Sequence, residues 1–172
     1  MSNPWELYPH IWKTKASFFS YVRGGLRRAL WEKYPVKLEF KKEQLKPPPI
    51  GYEGRAKSGT KCALTGEWTG NSKLEVDHIE GNASVNDWDD ILPFVQHLCT
   101  VKDNMQLVEK EAHKIKSYAD KHGLTFEEAK VIKEAISICK GDEKEWLISK
   151  GFIPEGNAKK RRTQVEDYLR GM

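Results

Sequence analysis

The sequence predicts an α+β fold that is rich in helix, and two kinds of pattern support this prediction. Two short strand-like runs, residues 60–64 and 73–79, flank a turn-rich connection. Apolar residues repeat at helical spacing on both sides of these runs. With 172 residues, of which 38% are hydrophobic, the chain can bury one compact core, or a small core with helical attachments.

The first predicted helix covers about residues 12–34. Gly24-Gly25 would weaken or bend it, and Pro35 is expected to end it. Pro47-Pro48-Pro49 and the glycine-rich residues 51–59 then indicate a linker. The apolar stripe of the helix repeats at intervals of three and four residues and consists of Phe18, Phe19, Val22, Leu26, Ala29 and Leu30.

Five further helices are expected after the strand-like runs. One covers residues 91–99, and one begins at Asn104 with Val108, Ala112, Ile115 and Ala119 on its buried face. Three more follow Gly123 and begin at the N-cap residues Thr125, Asp142 and Asn157. We therefore divide the chain into a basic helical arm (1–46), a linker (47–59), a core (60–122) and a helical C-terminal extension (123–172).

Composition excludes several classes of protein. No apolar run reaches the roughly 18–20 residues that span a bilayer, so no membrane association is expected. Residues 1–10 contain Pro4, Glu6 and Pro9 where a secretory signal would be apolar, which favours a cytoplasmic location. Three cysteines without a CxxC pair form neither a disulfide framework nor a zinc knuckle.

Charge is distributed unevenly along the chain, although the net charge is only +4. Residues 13–46 carry 10 Lys/Arg against 3 Glu, whereas residues 71–111 carry 3 Lys against 9 Asp/Glu. A basic arm beside an acidic centre suits a protein that contacts phosphates with one part and holds a cation with another. Taken alone, the distribution is equally compatible with ordinary solvated faces.

Several polar residues in the core segment are of the types needed for phosphodiester hydrolysis. This reaction needs a cation to offset the charge that develops on the phosphate, and a base to take a proton from the attacking water. Asp77 offers a carboxylate ligand and His113 an imidazole ligand. His78 offers a neutral imidazole with a pKa suited to base chemistry near neutral pH. Lys116, one helical turn after His113, would bring a positive charge to the same phosphate.

These residues lie in runs that resemble the HNH endonuclease family, and more closely its phage-borne members. The runs are Val76-Asp77-His78-Ile79, Asn104-Met105-Gln106-Leu107-Val108 and His113-Lys114-Ile115-Lys116-Ser117. The resemblance covers roughly residues 60–120. It implies a ββα-metal core, in which a two-stranded hairpin packs on a helix around one divalent cation. It also implies that Asp77 and His113 bind the metal, that His78 is the general base, and that Asn104 braces the loop and orients the base.

The cysteines depart from the pattern of that family. Many relatives carry two CxxC pairs that bind a structural zinc, whereas this chain keeps Cys62 and has Thr65, Glu109 and Ala112 at the other three places. A single thiolate cannot form a tetrahedral zinc site, so no structural zinc is expected. The expected cofactor is one divalent cation, with Mg²⁺ preferred and Mn²⁺ or Ni²⁺ as alternatives.

Basic side chains outside the core are candidate DNA contacts. Three arginines beside the apolar stripe of the first helix are predicted to contact phosphates; they are Arg23, Arg27 and Arg28. A basic run at the start of the last helix fits a phosphate site at a helix N-terminus and a solvated turn equally well; it consists of Lys159, Lys160, Arg161 and Arg162.

His97 and an acidic loop are interpreted as parts of the structure and not of the active site. His97 lies in the apolar run 94–99 and is interpreted as a hydrogen-bonded core histidine rather than a ligand. An acidic loop could attract a second cation but is better explained as solvated; it carries Glu80, Asp87, Asp89 and Asp90.

The predicted function is metal-dependent hydrolysis of DNA, with double-stranded DNA as the expected partner. The mechanism would use one metal and a histidine general base, and the resemblance implies 5′-phosphate and 3′-hydroxyl products. Two alternatives remain. One is a non-catalytic DNA-binding or packaging accessory protein that retains the fold, and the other is a degenerate module that acts through protein contacts.

Overall fold

The computed structural model describes residues 2–81 and 83–171. The protein is α+β and 54% helical, with two small antiparallel sheets, so the prediction of a helix-rich α+β fold is confirmed. The chain forms two compact units, residues 1–110 and 111–172. None of the helices in the described part of the chain is long and apolar enough to cross a membrane.

The first unit contains all four strands that the described residues form. Its elements in chain order are α1 (Pro4–Leu7), α2 (Lys15–Leu26), α3 (Pro35–Gln44), β1 (Gly59–Lys61), β2 (Trp68–Gly70), β3 (Leu74–His78), α4 (Ile91–Leu98) and β4 (Met105–Glu109). The second unit is helical. It contains α5 (Lys110–His122), whose first residue belongs to the first unit, followed by α6 (Phe126–Ile138), α7 (Glu143–Ser149) and α8 (Ala158–Arg170).

The strands pair in two separate antiparallel sheets. β1 pairs with β2, with Gly59 opposite Gly70, so the segment predicted as a turn contains a strand. The backbones approach closely there, because a Cβ at Gly59 would lie 2.2 Å from the Thr69 carbonyl oxygen. β3 pairs with β4 from Leu74 opposite Glu109 to His78 opposite Met105. The two predicted strand runs are therefore not partners of each other.

The prediction that a helix begins at Asn104 is wrong for its first residues. Met105–Glu109 is the strand β4, and the helix begins only at Lys110. Met105, Leu107 and Val108 are buried in β4, so burial against β3 decided the local structure. The remainder of the predicted helix is present, with Ala112 and Ala119 buried on α5.

The helix predicted over residues 12–34 corresponds to α2 and differs from the prediction at both ends. Thr14 caps α2, because its side chain accepts a hydrogen bond from the Ser17 N–H. After Leu26 the backbone continues as a π-helical turn over Arg27–Trp31. Pro35 does not stop this helix but occupies the first turn of α3, a helix that the sequence analysis did not identify.

Two apolar clusters stabilise the first unit. In one, α2 packs on α4 through Phe18, Phe19, Phe94 and Leu98. In the other, Phe40 of α3 packs on the β3–β4 sheet; its partners there are Leu74, Val76, Met105 and Leu107. This second cluster holds β3 in place, and Asp77 and His78 are the last two residues of that strand.

The second unit follows its predicted capping pattern closely. Thr125 caps α6 with Glu128 in a reciprocal capping box, and Asp142 and Asn157 cap α7 and α8 through their side chains. One buried apolar cluster of this unit contains Ala135, Leu147 and Val165. The three predicted helix starts in residues 123–172 are confirmed.

Candidate active site

Asp77 and His78 are the last two residues of β3, and both side chains are buried, at 9% and 8% exposure. Gln106 lies directly opposite Asp77 in the β3–β4 register. Its side-chain amide donates to the Asp77 carboxylate (Nε2 to Oδ2, 3.2 Å). A neutral donor from the neighbouring strand thus orients the Asp77 carboxylate without neutralising its charge.

The His78 ring is held by two aromatic neighbours. Its centroid lies 4.1 Å from that of Trp31 and 4.1 Å from that of His97, in stacked geometry on both sides. His78 Nε2 is also 3.0 Å from the backbone carbonyl oxygen of His97. Because a carbonyl oxygen can only accept, Nε2 must carry the proton, and Nδ1 carries the basic lone pair of the neutral ring.

The electrostatic surroundings keep His78 neutral. Burial and the nearby His97 lower its pKa from 6.5 to about 4, although the His97 carbonyl and Asp77 act in the opposite direction. The expectation of a pKa near neutrality is therefore wrong. The ring can accept a proton at physiological pH, but with a smaller driving force than a base whose pKa is near 7.

Asn104 connects the two ends of the segment between β3 and β4. Its side-chain oxygen accepts from the Glu80 backbone N–H at 2.9 Å, and its backbone oxygen accepts from the Ile79 N–H at 3.1 Å. Its side-chain nitrogen donates to the Thr100 hydroxyl at 3.1 Å. These bonds hold the residues that immediately follow His78 against the start of β4.

The other two predicted site residues lie on α5, in the second unit. His113 is half-buried. Lys116 is also largely covered, with a side-chain exposure of 16%, and its Nζ is 3.3 Å from an Asp120 carboxylate oxygen. Among residues 2–81 and 83–171, no group of three or more His, Cys, Asp or Glu side chains could hold a metal ion.

The three predicted DNA contacts of the N-terminal arm differ in their surroundings. Arg23 donates to the Ser84 hydroxyl at 3.0 Å. The Arg27 guanidinium lies 5.8 Å from the centre of the Phe94 ring, and burial, followed by repulsion from Arg23, lowers its pKa. Arg28 is exposed.

The basic run at the start of α8 is not uniform. Arg161 is buried, pairs with Glu143 at 2.9 Å, and donates to the backbone oxygens of Glu155 and Gly156. This guanidinium is committed to internal contacts, so the structure argues against Arg161 as a DNA contact. Lys159 and Lys160 are exposed, and Arg162 pairs with Glu166 on its own helix; these three stay candidates.

Comparison with protein-family models, with curated proteins and with solved structures finds no match for this chain.

Sequence reasoning missed three residues that contact the Asp77-His78 pair: Trp31, His97 and Gln106. His97 was interpreted as a core histidine, but its ring is half-buried and its backbone carbonyl sets the tautomer of His78. Gln106 lies opposite Asp77 in the strand register, but residues 105–109 were predicted to be helical, so this pairing could not be found from the sequence. Trp31 had no sequence signal, because it is the last residue of a π-helical turn that the sequence does not predict.

Proposed function

We propose that this protein is a metal-dependent endonuclease that hydrolyses phosphodiester bonds in DNA. The observation that carries the proposal is the fixed tautomer of His78, which makes Nδ1 the basic nitrogen of a ring that directly follows Asp77 in the chain, at the end of β3. A positioned neutral imidazole next to a possible cation ligand is what a general base for water needs.

The chain order of the elements also supports the proposal. Asp77-His78 ends β3, Asn104 immediately precedes β4, and α5, which carries His113, begins directly after β4. Two strands followed by a helix are the elements that the HNH resemblance implies for a ββα-metal core. The assignment of His113 as a ligand rests on this resemblance and on its imidazole chemistry.

The donor set fits a hard divalent cation. Asp77 would supply a carboxylate oxygen and His113 an imidazole nitrogen, and Mg²⁺ commonly takes few protein ligands while keeping water and substrate phosphate oxygens. When bound, such a cation would offset the charge that develops on the phosphate. Mg²⁺ is the preferred candidate, with Mn²⁺ or Ni²⁺ as alternatives.

The protein's own groups would then have separate roles. His78 Nδ1 takes the proton from the attacking water, while the His97 carbonyl keeps the opposite edge of the ring protonated. Asn104 holds the loop that follows His78. Lys116 supplies positive charge for a phosphate oxygen. The water oxygen bonds to phosphorus while the bond from phosphorus to the 3′ oxygen breaks, and the 3′ oxygen takes a proton from solvent water and leaves as a hydroxyl. The products are the 5′-phosphate and 3′-hydroxyl ends that the resemblance implies.

A plasmid-cleavage assay tests the proposal. The parent protein should nick or linearise supercoiled plasmid in the presence of Mg²⁺ or Mn²⁺, and EDTA should abolish this cleavage. His78→Ala should cut about 10²- to 10⁴-fold more slowly, whereas His10→Ala, a change at an exposed histidine, should cut normally. Equal rates for both variants would remove His78 from the mechanism.

One observation favours the alternative of a non-catalytic DNA-binding protein. His78 is only 8% exposed and has an aromatic ring against each face, so water can reach Nδ1 only at the ring edge. A protein that binds duplex DNA in a salt-dependent manner, but cleaves no plasmid with Mg²⁺, Mn²⁺ or Ni²⁺, would establish this alternative.

A further inference from the structure

A cleft of about 520 Å³ opens beside the β1–β2 sheet, outside the candidate active site. It is lined by aromatic rings, cations and carboxylates together; the side chains that matter here are Tyr52, Arg55, Glu67, Trp68, Lys73 and Glu109. Its volume lies within the range of about 300–1,000 Å³ that is typical of small-molecule pockets. All of these residues belong to the first unit.

Trp68 is held in place by its neighbours. In β2, Thr69 is buried and Trp68 points to the other face of the strand. The indole lies across Gly59, where a Cβ would be 2.7 Å from Trp68 Cζ2. The Tyr52 ring lies 4.4 Å from the indole, tilted by 59°. A partly exposed aromatic ring in a fixed orientation is a suitable stacking surface for a planar ligand.

The charges around this ring match the parts of a nucleotide. Arg55 and Lys73 are exposed cations that can contact a phosphate. Glu67 and Glu109 offer carboxylate oxygens to the amino groups of a base. The cleft thus combines a stacking ring, phosphate-binding cations and hydrogen-bond acceptors. The charges of its two cations and two carboxylates sum to zero.

The register of β3 and β4 places the cleft relative to His78. Lys73 and Glu109 lie at the Leu74 end of the strand pair, and His78 lies at the other end, opposite Met105. Four residues of strand span about 13 Å, which equals about four base-pair steps of DNA. One DNA molecule with a phosphodiester at His78 can therefore reach the cleft.

We propose that the cleft binds one unstacked nucleotide of the DNA, so that the protein prefers DNA with unpaired bases over fully paired duplex. This inference rests on the proposed function to the extent that DNA is the partner, and it adds the class of DNA. The base stacks on Trp68, and Arg55 and Lys73 contact the adjoining phosphate.

Fluorescence anisotropy in EDTA tests the inference without cleavage. The probes are a fluorescein-labelled 30-base-pair duplex and the same duplex with a central two-nucleotide bulge. The parent should bind the bulged duplex more tightly. Trp68→Leu should remove about 5- to 150-fold of its affinity for the bulged duplex, the range for loss of one base–aromatic stack. Trp68→Phe should keep most of this affinity, and none of the variants should bind the paired duplex differently.

A second pair of variants keeps the test valid if Trp68→Leu does not fold. Arg55→Ala should reduce the preference for the bulged duplex, whereas Lys57→Ala, at an exposed lysine nearby that does not line the cleft, should not. Equal parent affinity for both probes, or equal effects of Arg55→Ala and Lys57→Ala, would overturn the inference. A parent that prefers the bulge but cuts no DNA would refute the proposed function and leave this inference intact.

Discussion

The neutral, buried His78 makes a specific contribution to the pH dependence of stability. Its pKa is about 4 in the folded protein and 6.5 when unperturbed. Above pH 6.5 neither the folded nor the unfolded state binds this proton. As the pH falls from 6.5 to 4, the unfolded chain takes up a proton that the folded protein does not, so stability is lost on acidification.

The magnitude follows from the two pKa values. Between pH 7.5 and pH 5, His78 should lower the free energy of unfolding by about 2 kcal/mol, and the full loss below pH 4 approaches about 3 kcal/mol. His78→Gln removes the titrating group. The variant should therefore lose about 2 kcal/mol less than the parent over the same pH interval, since the carboxylates are common to both proteins.

Urea unfolding at the two pH values, followed by tryptophan fluorescence, measures this difference. Tryptophan fluorescence suits the experiment because most tryptophans lie in the unit that contains His78; those in residues 1–110 are Trp5, Trp12, Trp31, Trp68 and Trp88. The matched control is His10→Gln, at an exposed position, which should behave like the parent. The reasoning is refuted if the parent and His78→Gln lose the same stability between pH 7.5 and pH 5.

Three further predictions concern other parts of the chain. Arg161→Ala should destabilise the second unit, because it removes a buried guanidinium that pairs with Glu143 and donates to the backbone oxygens of Glu155 and Gly156. Urea unfolding followed by circular dichroism should show this loss, and the DNA affinity should be unchanged. Gly59→Ala should destabilise the first unit by more than about 1 kcal/mol, because the added Cβ would lie 2.2 Å from the Thr69 oxygen; a melting temperature equal to that of the parent would contradict this. A variant with alanine at Arg23, Arg27 and Arg28 would lose three phosphate contacts. On duplex DNA, its plot of log affinity against log salt concentration should therefore be flatter than that of the parent by about three units of slope. An unaltered slope in anisotropy titrations would show that these arginines do not contact phosphates.

The local parts of the fold could be predicted from the sequence. Helix starts in the second unit depend on a cap and the residues within one turn of it, as at Thr125 with Glu128. The placement of Asp77-His78 near a strand end could likewise be predicted, because a polar loop follows the strand-like run 73–79. Such features depend on neighbours in the chain, which the sequence displays directly.

The features that were missed depend on residues distant in the chain. Val108 and Ala112 have helical spacing, yet pairing with β3 makes residues 105–109 a strand. The contacts of His78 with Trp31 and His97 require α4 and the π-helical turn to meet the end of β3. Arg161 belongs to a basic run, but Glu143, on another helix, determines that it is internal.

The pairing of β3 with β4 has a consequence for synthesis of the protein. Residues 79–104 separate the two strands, and a ribosome adds them in about 1–5 s at 5–20 residues per second. During that interval β3 has no strand partner, and neither Gln106 nor the full Asn104 brace exists to position Asp77 and His78. A chain that stops before residue 105 therefore cannot position Asp77 and His78 as the proposed mechanism requires. If the protein is the nuclease proposed above, a growing polypeptide would stay inactive towards DNA until β4 has paired with β3.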